Sequence, residues 1–218
     1  MTLTKPYYQD EWVTIYHGDC RDILPQIPDK SIDLVLTDPP YGVGLDYISY
    51  DDTRENWLKL IDFIIPWGIK RAGMMIMPCS RIVELEYIYT HYPPDWLMCW
   101  YKGSPGTSAW TGFNDWEPHL VYGKNKGVHF HDYFYAPPSD NGNFKHPCPK
   151  PQKWANYLIV NTTQVDDLIL DPFLGSGTTA YCAKKLNRRC IGIEIEEKYC
   201  EIAAKRCSQG VFNFNDID

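Results

Sequence analysis

The sequence lacks the cysteine spacings of a metal or redox site. Its eight cysteines are scattered over 218 residues, and no two of them form a C-x-x-C pair. Cysteines at that spacing hold structural zinc or act as redox pairs, so the sequence predicts neither function and we expect no metal. Reduced and mostly buried thiols are the simplest interpretation of the cysteines.

Long apolar runs are also absent. No stretch approaches the roughly 18 uninterrupted apolar residues that a membrane span needs. No cationic leader followed by an apolar run opens the sequence, so we expect a cytoplasmic protein without a membrane partner. A chain of 218 residues with 44% hydrophobic composition can bury one substantial core, and we expect a single domain over residues 1–218.

Positive charge is scarce for a protein that binds nucleic acid. The 21 Lys and Arg residues face 28 Asp and Glu residues, which gives a formal net charge of -7. Affinity for nucleic acid usually depends on the neutralisation of phosphates. Residues 145–218 carry 10 basic and 9 acidic side chains (+1), which leaves 11 and 19 (-8) for residues 1–144. Contact with a phosphate backbone is therefore expected only through local basic clusters.

Apolar segments of strand length alternate with segments of helix length. This pattern is typical of a mostly parallel sheet with helices on both faces, a doubly wound α/β fold. The predicted strands are "WVTIYHG", "IDLVLTD", "GMMIMPC", "WLMCWYK", "PHLVYGK", "LILDPF" and "RCIGIEI".

Three segments have helical spacing of apolar residues. The segment 55–65 is predicted to be a helix that Pro66 interrupts, and helices are predicted over 178–187 and 197–207. Between Gly123 and Trp154 the sequence is rich in Pro, Gly, His and aromatic residues, which predicts a long loop with a short hairpin over 128–135.

A glycine loop follows the strand "LILDPF". Gly175, Gly177 and Ala180 fit the spacing G-x-G-x-x-A, and Glu194 ends the next strand, where a carboxylate can bridge ribose hydroxyls. Taken alone, this match also fits a dinucleotide cofactor, or a turn whose glycines serve only tight packing. No Lys follows Gly177, so a phosphate loop of the Walker type is set aside.

Asp171 favours a cofactor that is cationic near the glycine loop. A carboxylate at the end of this strand would repel a pyrophosphate and attract an ammonium group. S-adenosylmethionine fits, since it carries an ammonium for Asp171, an adenosine for Glu194 and Phe173, and no phosphate.

The N-terminal strand can complete this half of the sheet. After Glu194 and its helix only a short tail remains, so the next strand of a doubly wound sheet is expected to be "WVTIYHGDC". Asp19 at its end can accept a hydrogen bond from the adenine amino group of the cofactor, or it can simply belong to a polar turn. The strand "IDLVLTDPPY" is then expected next in order.

The segment Asp38–Tyr41 contains the residues that we expect to act directly on the substrate. Pro39 fixes its own φ, and Pro40 holds residue 39 extended, so the Asp38 carboxylate and the Pro39 carbonyl form two rigid acceptors. An exocyclic base amine is a poor nucleophile until its N–H bonds are held out of conjugation with the ring, which two such acceptors can do. Tyr41 supplies a flat face for a base that has left the duplex stack.

The motifs "TDPPYG", "DPFLGSGTT" and "GIEI" resemble those of amino-directed DNA methyltransferases in the order of the beta class, and "HPCPKP" (146–151) is similar to the family segment H-P-x-x-K-P. The resemblance implies a Rossmann-like, circularly permuted fold, S-adenosylmethionine as cofactor and DNA as partner. It assigns the target amine to Asp38, Pro39, Pro40 and Tyr41. The cofactor residues that we predict are Asp19, Cys20, Asp38, His146, Lys150, Asp171, Phe173, Gly175, Gly177, Thr178 and Glu194.

The form DPPY favours N6 of adenine over N4 of cytosine as the target amine.

The chain departs from the family in having little room for a target-recognition segment. The candidates are the loops at about 42–56, 102–118 and 125–153, with Trp110, Phe113 and Trp116. Trp and Phe there can wedge into a base stack or cover the core. The DNA sequence that the protein recognises is then short, its selectivity is relaxed, or recognition needs a second subunit.

Competing interpretations are methylation of RNA or of a protein amide, and a cofactor-binding but catalytically idle DNA-binding module. A third, a nicotinamide-dependent oxidoreductase, leaves DPPY unexplained.

Overall fold

The structure is a computed structural model. It describes residues 5–79, 82–103, 108–109, 112–124, 129–138 and 150–209. The strands are β1 (Tyr8–Gln9), β2 (Val13–His17), β3 (Ile32–Leu36), β4 (Ala72–Pro78), β5 (Trp96–Tyr101), β6 (Ser108–Ala109), β7 (Gly112–Phe113), β8 (Trp116–Gly123), β9 (Tyr133–Tyr135), β10 (Leu168–Asp171) and β11 (Arg189–Glu194). The helices are α1 (Cys20–Ile23), α2 (Arg54–Arg71), α3 (Ile82–His91), α4 (Gln152–Thr162), α5 (Thr178–Lys185) and α6 (Glu197–Ser208), and a 3₁₀ turn (Leu24–Gln26) follows α1.

Nine of the strands form one mixed sheet in the order β1-β2-β11-β10-β3-β4-β8-β5-β9. The five strands from β2 to β4 in this order are parallel to one another, while β1 is antiparallel to β2, and β8 is antiparallel to both β4 and β5. The remaining two strands, β6 and β7, pair with each other as a small hairpin. All seven strands predicted from the sequence are present.

Helices cover both faces of the sheet, as the doubly wound prediction requires. On β3, Leu34 and Leu36 join a core cluster with residues of α4, α5 and α6. Val35 between them points to the other face and joins a second cluster with residues of α1 and α2. Alternate side chains of a buried parallel strand thus supply two cores, which explains its almost continuous apolar sequence.

Helix α2 is longer than the sequence predicted. The expected end at Pro66 is wrong, because the helix continues to Arg71 with Pro66 inside it. Proline removes the hydrogen bond to the carbonyl four residues earlier, which belongs to Asp62. Both Pro66 and Asp62 are exposed, so water can hydrate the carbonyl that lost its partner. Thr53 caps the start of the helix by accepting from the N–H of Asn56.

The position of the N-terminal strand is confirmed, and that of β3 is corrected. Strand β2 pairs in parallel with β11, as expected. Strand β3 was expected next to β2, but it lies on the far side of β10, where Leu34 and Val35 pair with Ile169 and Leu170. The chain crosses from β2 to β3 through α1, which packs on the face of the sheet.

The region after β8 also differs from expectation. The hairpin predicted over 128–135 is wrong in its described part, where one strand, β9, pairs in parallel with β5 and extends the sheet. Helix α4 begins at Gln152, within the predicted loop. Along the part of the chain that the structure describes, no helix is both long and apolar enough to cross a membrane.

The strand order creates a topological switch between β10 and β3. From β10 the chain proceeds through α5 to β11 on one side, and from β3 it proceeds through α2 to β4 on the other side. Ligands of open α/β sheets bind at such a point, beyond the carboxyl ends of the strands. The segments that follow these two strands are the glycine loop and Asp38–Tyr41.

Gly177 has a packing role in this fold. Its φ is +81°, and a Cβ built there would lie 2.7 Å from Cβ of Ala203 on α6. The backbone of α5 can approach α6 this closely only because the residue has no side chain.

We predict that Gly177→Ala lowers the free energy of unfolding by about 1–3 kcal/mol, because it adds both left-handed strain and a steric clash. Chemical denaturation measures the loss. Gly112→Ala is the matched control, since nothing lies within 4 Å of a Cβ at that exposed position. Equal stability of the Gly177 variant and the wild type would contradict the packing role.

Candidate active site

A cavity of about 380 Å³ opens at the switch point. Its walls come from the loops that follow β2, β3, β10 and β11, from the ends of β5 and β8, and from the loop before α2. The polar and charged side chains among its lining residues are Asp19, Cys20, Arg21, Asp38, Tyr41, Tyr47, Tyr50, Lys102, Asn114, Glu117, Lys150, Asp171, Ser176, Thr178, Thr179, Glu194, Glu196 and Tyr199.

A hydrogen bond joins the two strands at the floor of this cavity. Thr37 Oγ1, directly after β3, donates to Asp171 Oδ1 at the end of β10 over 2.8 Å. The N–H of Phe173 donates to the same oxygen over 3.1 Å. Thr37 and Asp171 are both buried, and the bond fixes the start of Asp38–Tyr41 against the start of the glycine loop.

Asp171 is a buried carboxylate with a perturbed pKa. Burial raises the pKa of Asp171 to about 6, although hydrogen bonds from Thr179, Thr37 and Phe173 oppose the shift. The group is ionised near pH 7 but lacks a basic partner among the contacts that shift its pKa. A ligand cation would stabilise the charge that burial penalises.

Glu194 ties the glycine loop to the end of β11. Its two carboxylate oxygens accept from the N–H of Gly175 over 2.7 Å and from the N–H of Glu196 over 2.8 Å. Burial raises the pKa of Glu194, and these backbone hydrogen bonds oppose the effect. One lone pair on each oxygen remains for a ligand hydroxyl.

Asp19 lies at the end of β2 beside Arg21. Arg21 Nε donates to both carboxylate oxygens of Asp19, over 2.9 and 3.1 Å. Asp19 also caps α1, and the hydrogen bond from Arg21 lowers the pKa of Asp19. The neighbouring Cys20 is neutral, since burial raises the pKa of its thiol to about 12.

The loop before α2 lines the side of the cavity beside Glu194, where the sequence predicted the cofactor. The buried carboxylate of Asp52 accepts from three backbone N–H groups, those of Gly42, Val43 and Leu45. Farther along the loop, the N–H of Ser49 donates to Glu196 Oε1 over 2.6 Å. This loop was predicted to contact the substrate, and in the structure its contacts fix it beside the end of β11.

Asp38 lies within a network of donors. Tyr41 Oη donates to Asp38 Oδ1 over 2.6 Å and lies 3.2 Å from Glu117 Oε1. Lys150 Nζ lies 2.7 Å from Asp38 Oδ2. Burial and the nearby carboxylates of Asp38 and Glu117 raise the pKa of Tyr41, so its hydroxyl remains a donor.

Glu117, at the start of β8, belongs to the same network. Its buried carboxylate pairs with Lys102 over 2.8 Å, and Lys150 lies 3.9 Å away. Although burial opposes ionisation, these two cations lower the pKa of Glu117. His119 nearby is fully buried and neutral: burial lowers its pKa to about 4, and its Nε2 accepts from Trp154 Nε1.

The structure brings most of the predicted site residues to one cavity. The predicted residues in its wall are Asp19, Cys20, Asp38, Pro39, Pro40, Tyr41, Lys150, Asp171, Phe173, Gly175, Thr178 and Glu194. Gly177 lies outside the wall and packs against α6 instead. His146 and Trp110 lie outside the described residues.

Sequence reasoning missed the residues that reach the cavity from the far half of the sheet. Glu117, Lys102 and Trp154 line the cavity through β8, the end of β5 and α4. An acid between Trp116 and Pro118 at the start of a predicted strand was the one available sign, because an acidic side chain is rarely buried without a partner.

The charges of the cavity fit S-adenosylmethionine better than a dinucleotide. Each basic side chain of the described wall already faces an acid: Arg21 pairs with Asp19, Lys102 with Glu117, and Lys150 with Asp38. A pyrophosphate would therefore meet occupied cations, whereas an ammonium would meet the carboxylate of Asp171. Phe173, Leu174 and Ile195 provide an apolar wall for an adenine ring.

Sequence comparison gives a family for this arrangement. The profile of the DNA methylase family (N6_N4_Mtase) matches residues 95–205, which is half of the chain. The chain belongs to this DNA methylase family. Among curated proteins, the type II methyltransferase M2.LlaDCHI of Lactococcus lactis subsp. cremoris is 29% identical over 95% of this chain and 94% of its own. The DNA adenine methyltransferase YhdJ of Escherichia coli (strain K12) is 27% identical over 91% of this chain and 84% of its own.

Solved structures share the fold of the methylase. The cytosine-N4-specific PvuII DNA methyltransferase superposes with a TM-score of 0.75 at 19% identity, over 99% of this chain and 91% of that chain. M1.HpyAVI in complex with S-adenosylmethionine superposes with a TM-score of 0.68 at 26% identity, over 90% of this chain and 99% of that chain.

The methylase is thus an S-adenosylmethionine-dependent DNA methyltransferase with a Rossmann-like fold. Within the described residues, no group of three His, Cys, Asp or Glu side chains is placed to hold a metal ion.

We predict that the affinity for S-adenosylmethionine falls as the pH decreases through about 6. Protonation of Asp171 near that pH removes the charge that would attract the cofactor ammonium, so Kd rises by up to about tenfold for each pH unit below it. Titration calorimetry between pH 5 and 8 measures the change.

Asp171→Asn provides the control for this prediction. The variant should bind at least about tenfold more weakly at pH 7.5 and lose most of the pH dependence. A wild-type Kd that stays constant from pH 8 to pH 5 would show that Asp171 does not contact the ammonium.

Proposed function

We propose that the methylase transfers a methyl group to N6 of an adenine that has left the DNA duplex, and that Asp38–Tyr41 holds the target amine. One observation carries the proposal: Asp38 and Asp171 follow adjacent strands and line the same cavity, linked through Thr37. A target amine held at Asp38 would therefore lie next to a cofactor held at Asp171.

Asp38 and Pro39 orient the amine. The carboxylate of Asp38 and the carbonyl of Pro39 each accept one N–H bond, which holds the nitrogen out of conjugation and directs its lone pair. The two prolines restrict the backbone between the acceptors, so little conformational entropy is lost when the base binds. Rate enhancement then comes from positioning and electrostatics and needs no covalent enzyme intermediate.

Tyr41 and the charged network prepare Asp38 for this role. The hydroxyl of Tyr41 holds Asp38 Oδ1, while the half-buried ring of Tyr41 offers a face to the base. S-adenosylmethionine, when bound, supplies an electrophilic methyl group on sulfur. The target nitrogen gains that methyl group and releases one proton, which Asp38 can hold at Oδ2 and pass to water because its side chain is 22% exposed.

Adenine is favoured by the form of the motif. The sequence DPPY, Asp38–Tyr41, begins with an acid, and the relative YhdJ, 27% identical to this chain, is a DNA adenine methyltransferase. The PvuII enzyme acts at N4 of cytosine, but at 19% identity its likeness supports the fold alone. The amines of adenine and cytosine present the same donors, so the two acceptors alone do not distinguish the bases. The assignment to adenine therefore depends on the sequence form of the motif.

The remaining parts of the proposal concern DNA contact. We place target recognition in the loops 102–118 and 125–153 of a single domain, since the loop 42–56 is fixed beside the cofactor side of the cavity. Trp116 is 51% exposed in the first of these loops and is available to a base. So little recognition surface suits a short target, or a homodimer in which a second copy contributes. We also propose a cytoplasmic location and a role in type II modification, and the type II methyltransferases among the relatives support the second of these.

Mass spectrometry of product nucleosides tests the proposed function. Amplified genomic DNA, which carries no methylated adenine or cytosine, is incubated with the protein and S-adenosylmethionine, and is then digested to nucleosides. We expect N6-methyladenine, with a marked decrease in yield as salt increases. Formation of N4-methylcytosine would show that the target is the amine of cytosine. Methylation of RNA alone would show that DNA is not the substrate.

Asp38→Ala tests the role of the carboxylate in the same assay. We expect transfer to fall by at least about 100-fold, because one of two positioned acceptors is lost, while the Kd for S-adenosylmethionine stays within a few-fold of the wild-type value. Asp22→Ala removes an exposed acid in the first turn of α1 and serves as the matched control. Full activity of the Asp38 variant would contradict the mechanism.

A further inference from the structure

A lysine ammonium lies where the target amine is expected to bind. Lys150 Nζ is 2.7 Å from Asp38 Oδ2, and the side chains of Lys150 and Asp38 are only 16% and 22% exposed. The other oxygen of Asp38 already accepts from Tyr41. Both carboxylate oxygens that could receive the amine therefore have a donor before any base arrives.

The surroundings offer this ammonium a second position. Lys150 Nζ lies 3.9 Å from Glu117 Oε1, so a small movement of a flexible side chain would pair it with that carboxylate. Two aromatic rings line the path, those of Tyr41 and Trp100, whose centroids are 5.9 and 5.7 Å from the nitrogen. A lysine that moves from Asp38 to Glu117 would remain among acids and aromatic faces, which stabilise a cation.

The backbone of Lys150 is fixed while its side chain can move. Its carbonyl accepts from Thr178 Oγ1 over 3.2 Å, and Thr178 in turn accepts from Arg206. Pro151 follows and Gln152 begins α4, which further restricts the main chain. The movement is thus limited to the side chain of Lys150.

We propose that Lys150 is a positioning residue that competes with the target amine for Asp38 and moves to Glu117 when the amine binds. The inference rests on the proposed function. Before the base arrives, the ion pair with the ammonium holds the carboxylate of Asp38 in one orientation in the cavity. When the base arrives, an N–H of the amine takes the place of the ammonium at Oδ2. The cluster of Asp38, Glu117, Lys102 and Lys150 has equal numbers of acids and bases in both states, so no charge has to leave it.

Competition follows from the charge on both partners. A carboxylate has about four lone-pair sites, so geometry alone does not prevent two donors at one oxygen. An ammonium at 2.7 Å, however, weakens the carboxylate as an acceptor and repels the positive charge that the target nitrogen develops during methyl transfer. Its removal from Asp38 thus favours both binding and reaction of the amine.

This role differs from the one that the sequence motif implied. The resemblance assigned Lys150 to the methionine end of the cofactor, whereas in the structure its ammonium lies beside Asp38, Glu117 and the rings of Tyr41 and Trp100. A cofactor role predicts a change in the Kd for S-adenosylmethionine. The competition role predicts a change in the KM for DNA.

Two substitutions with opposite expected effects test the proposal. Lys150→Met keeps the length of the side chain and removes the competitor, so the KM for DNA should decrease by about fivefold. Lys150→Arg can hold both oxygens of Asp38 with its planar fork, so the same KM should increase by about fivefold or more. In both variants the Kd for S-adenosylmethionine should stay within about twofold of the wild-type value.

Lys205→Met is the matched control for the loss of one positive charge. Lys205 is exposed on α6, outside the cavity wall and the proposed recognition loops. Loss of a cation ordinarily weakens binding to DNA, so this variant should leave the KM for DNA unchanged or increase it. A decrease in the Lys150→Met variant alone would therefore be specific to the position of Lys150.

The substrate is amplified genomic DNA without methylated adenine or cytosine, and steady-state rates give KM and kcat separately for each variant. An unchanged or increased KM in Lys150→Met, equal shifts in Met and Arg variants, or loss of cofactor binding in both would overturn the proposal. Each of these outcomes presupposes a wild-type protein that methylates DNA. A wild-type protein that transfers no methyl group to DNA would instead overturn the proposed function.

Discussion

The pairing of β3 with β10 is the constraint on which the site depends. Two parallel strands that lie side by side end at the same edge of the sheet, so the residues that follow them are neighbours whatever their distance in sequence. Here those residues are Thr37 and Asp171, joined by a buried hydrogen bond although 134 positions separate them. The segment Asp38–Tyr41, which we propose holds the target amine, and the glycine loop, which we propose holds the cofactor, then extend from this bond into one cavity.

Charge balance decides what the cavity accepts. The acids on the side of the target, Asp38 and Glu117, are matched by Lys150 and Lys102, and Asp19 is matched by Arg21. Burial raises the pKa of Asp171 to about 6 and also raises the pKa of Glu194, so a ligand cation would stabilise the ionised form of either acid. The overall charge of -7 has little influence on this local arrangement, since salt screens charges beyond about 10 Å.

Local patterns in the sequence were sufficient for seven of the eleven strands and for most of the predicted residues of the cavity wall, because a buried parallel strand and a glycine loop have distinctive residues. Local patterns did not predict the strand order. Strand β3 follows β2 in sequence but pairs with β10, and such long-range pairing is decided only by packing. Pro66 did not end α2, since its exposed position lets water satisfy the freed carbonyl. The roles of Glu117 and Lys102 were not predicted, because the residues next to each of them in sequence do not indicate an ion pair between two strands. Gly177 met the motif spacing, yet the contact that requires glycine there is with α6.

A crystal structure of the protein with bound S-adenosylmethionine tests the central claim most directly. If β3 and β10 place the two halves of the reaction side by side, the cofactor ammonium will contact the carboxylate of Asp171, and its methyl group will face Asp38 and the carbonyl of Pro39. A methyl group directed away from Asp38, or an ammonium that contacts a different residue while Asp171 keeps its bond to Thr37, would contradict the account.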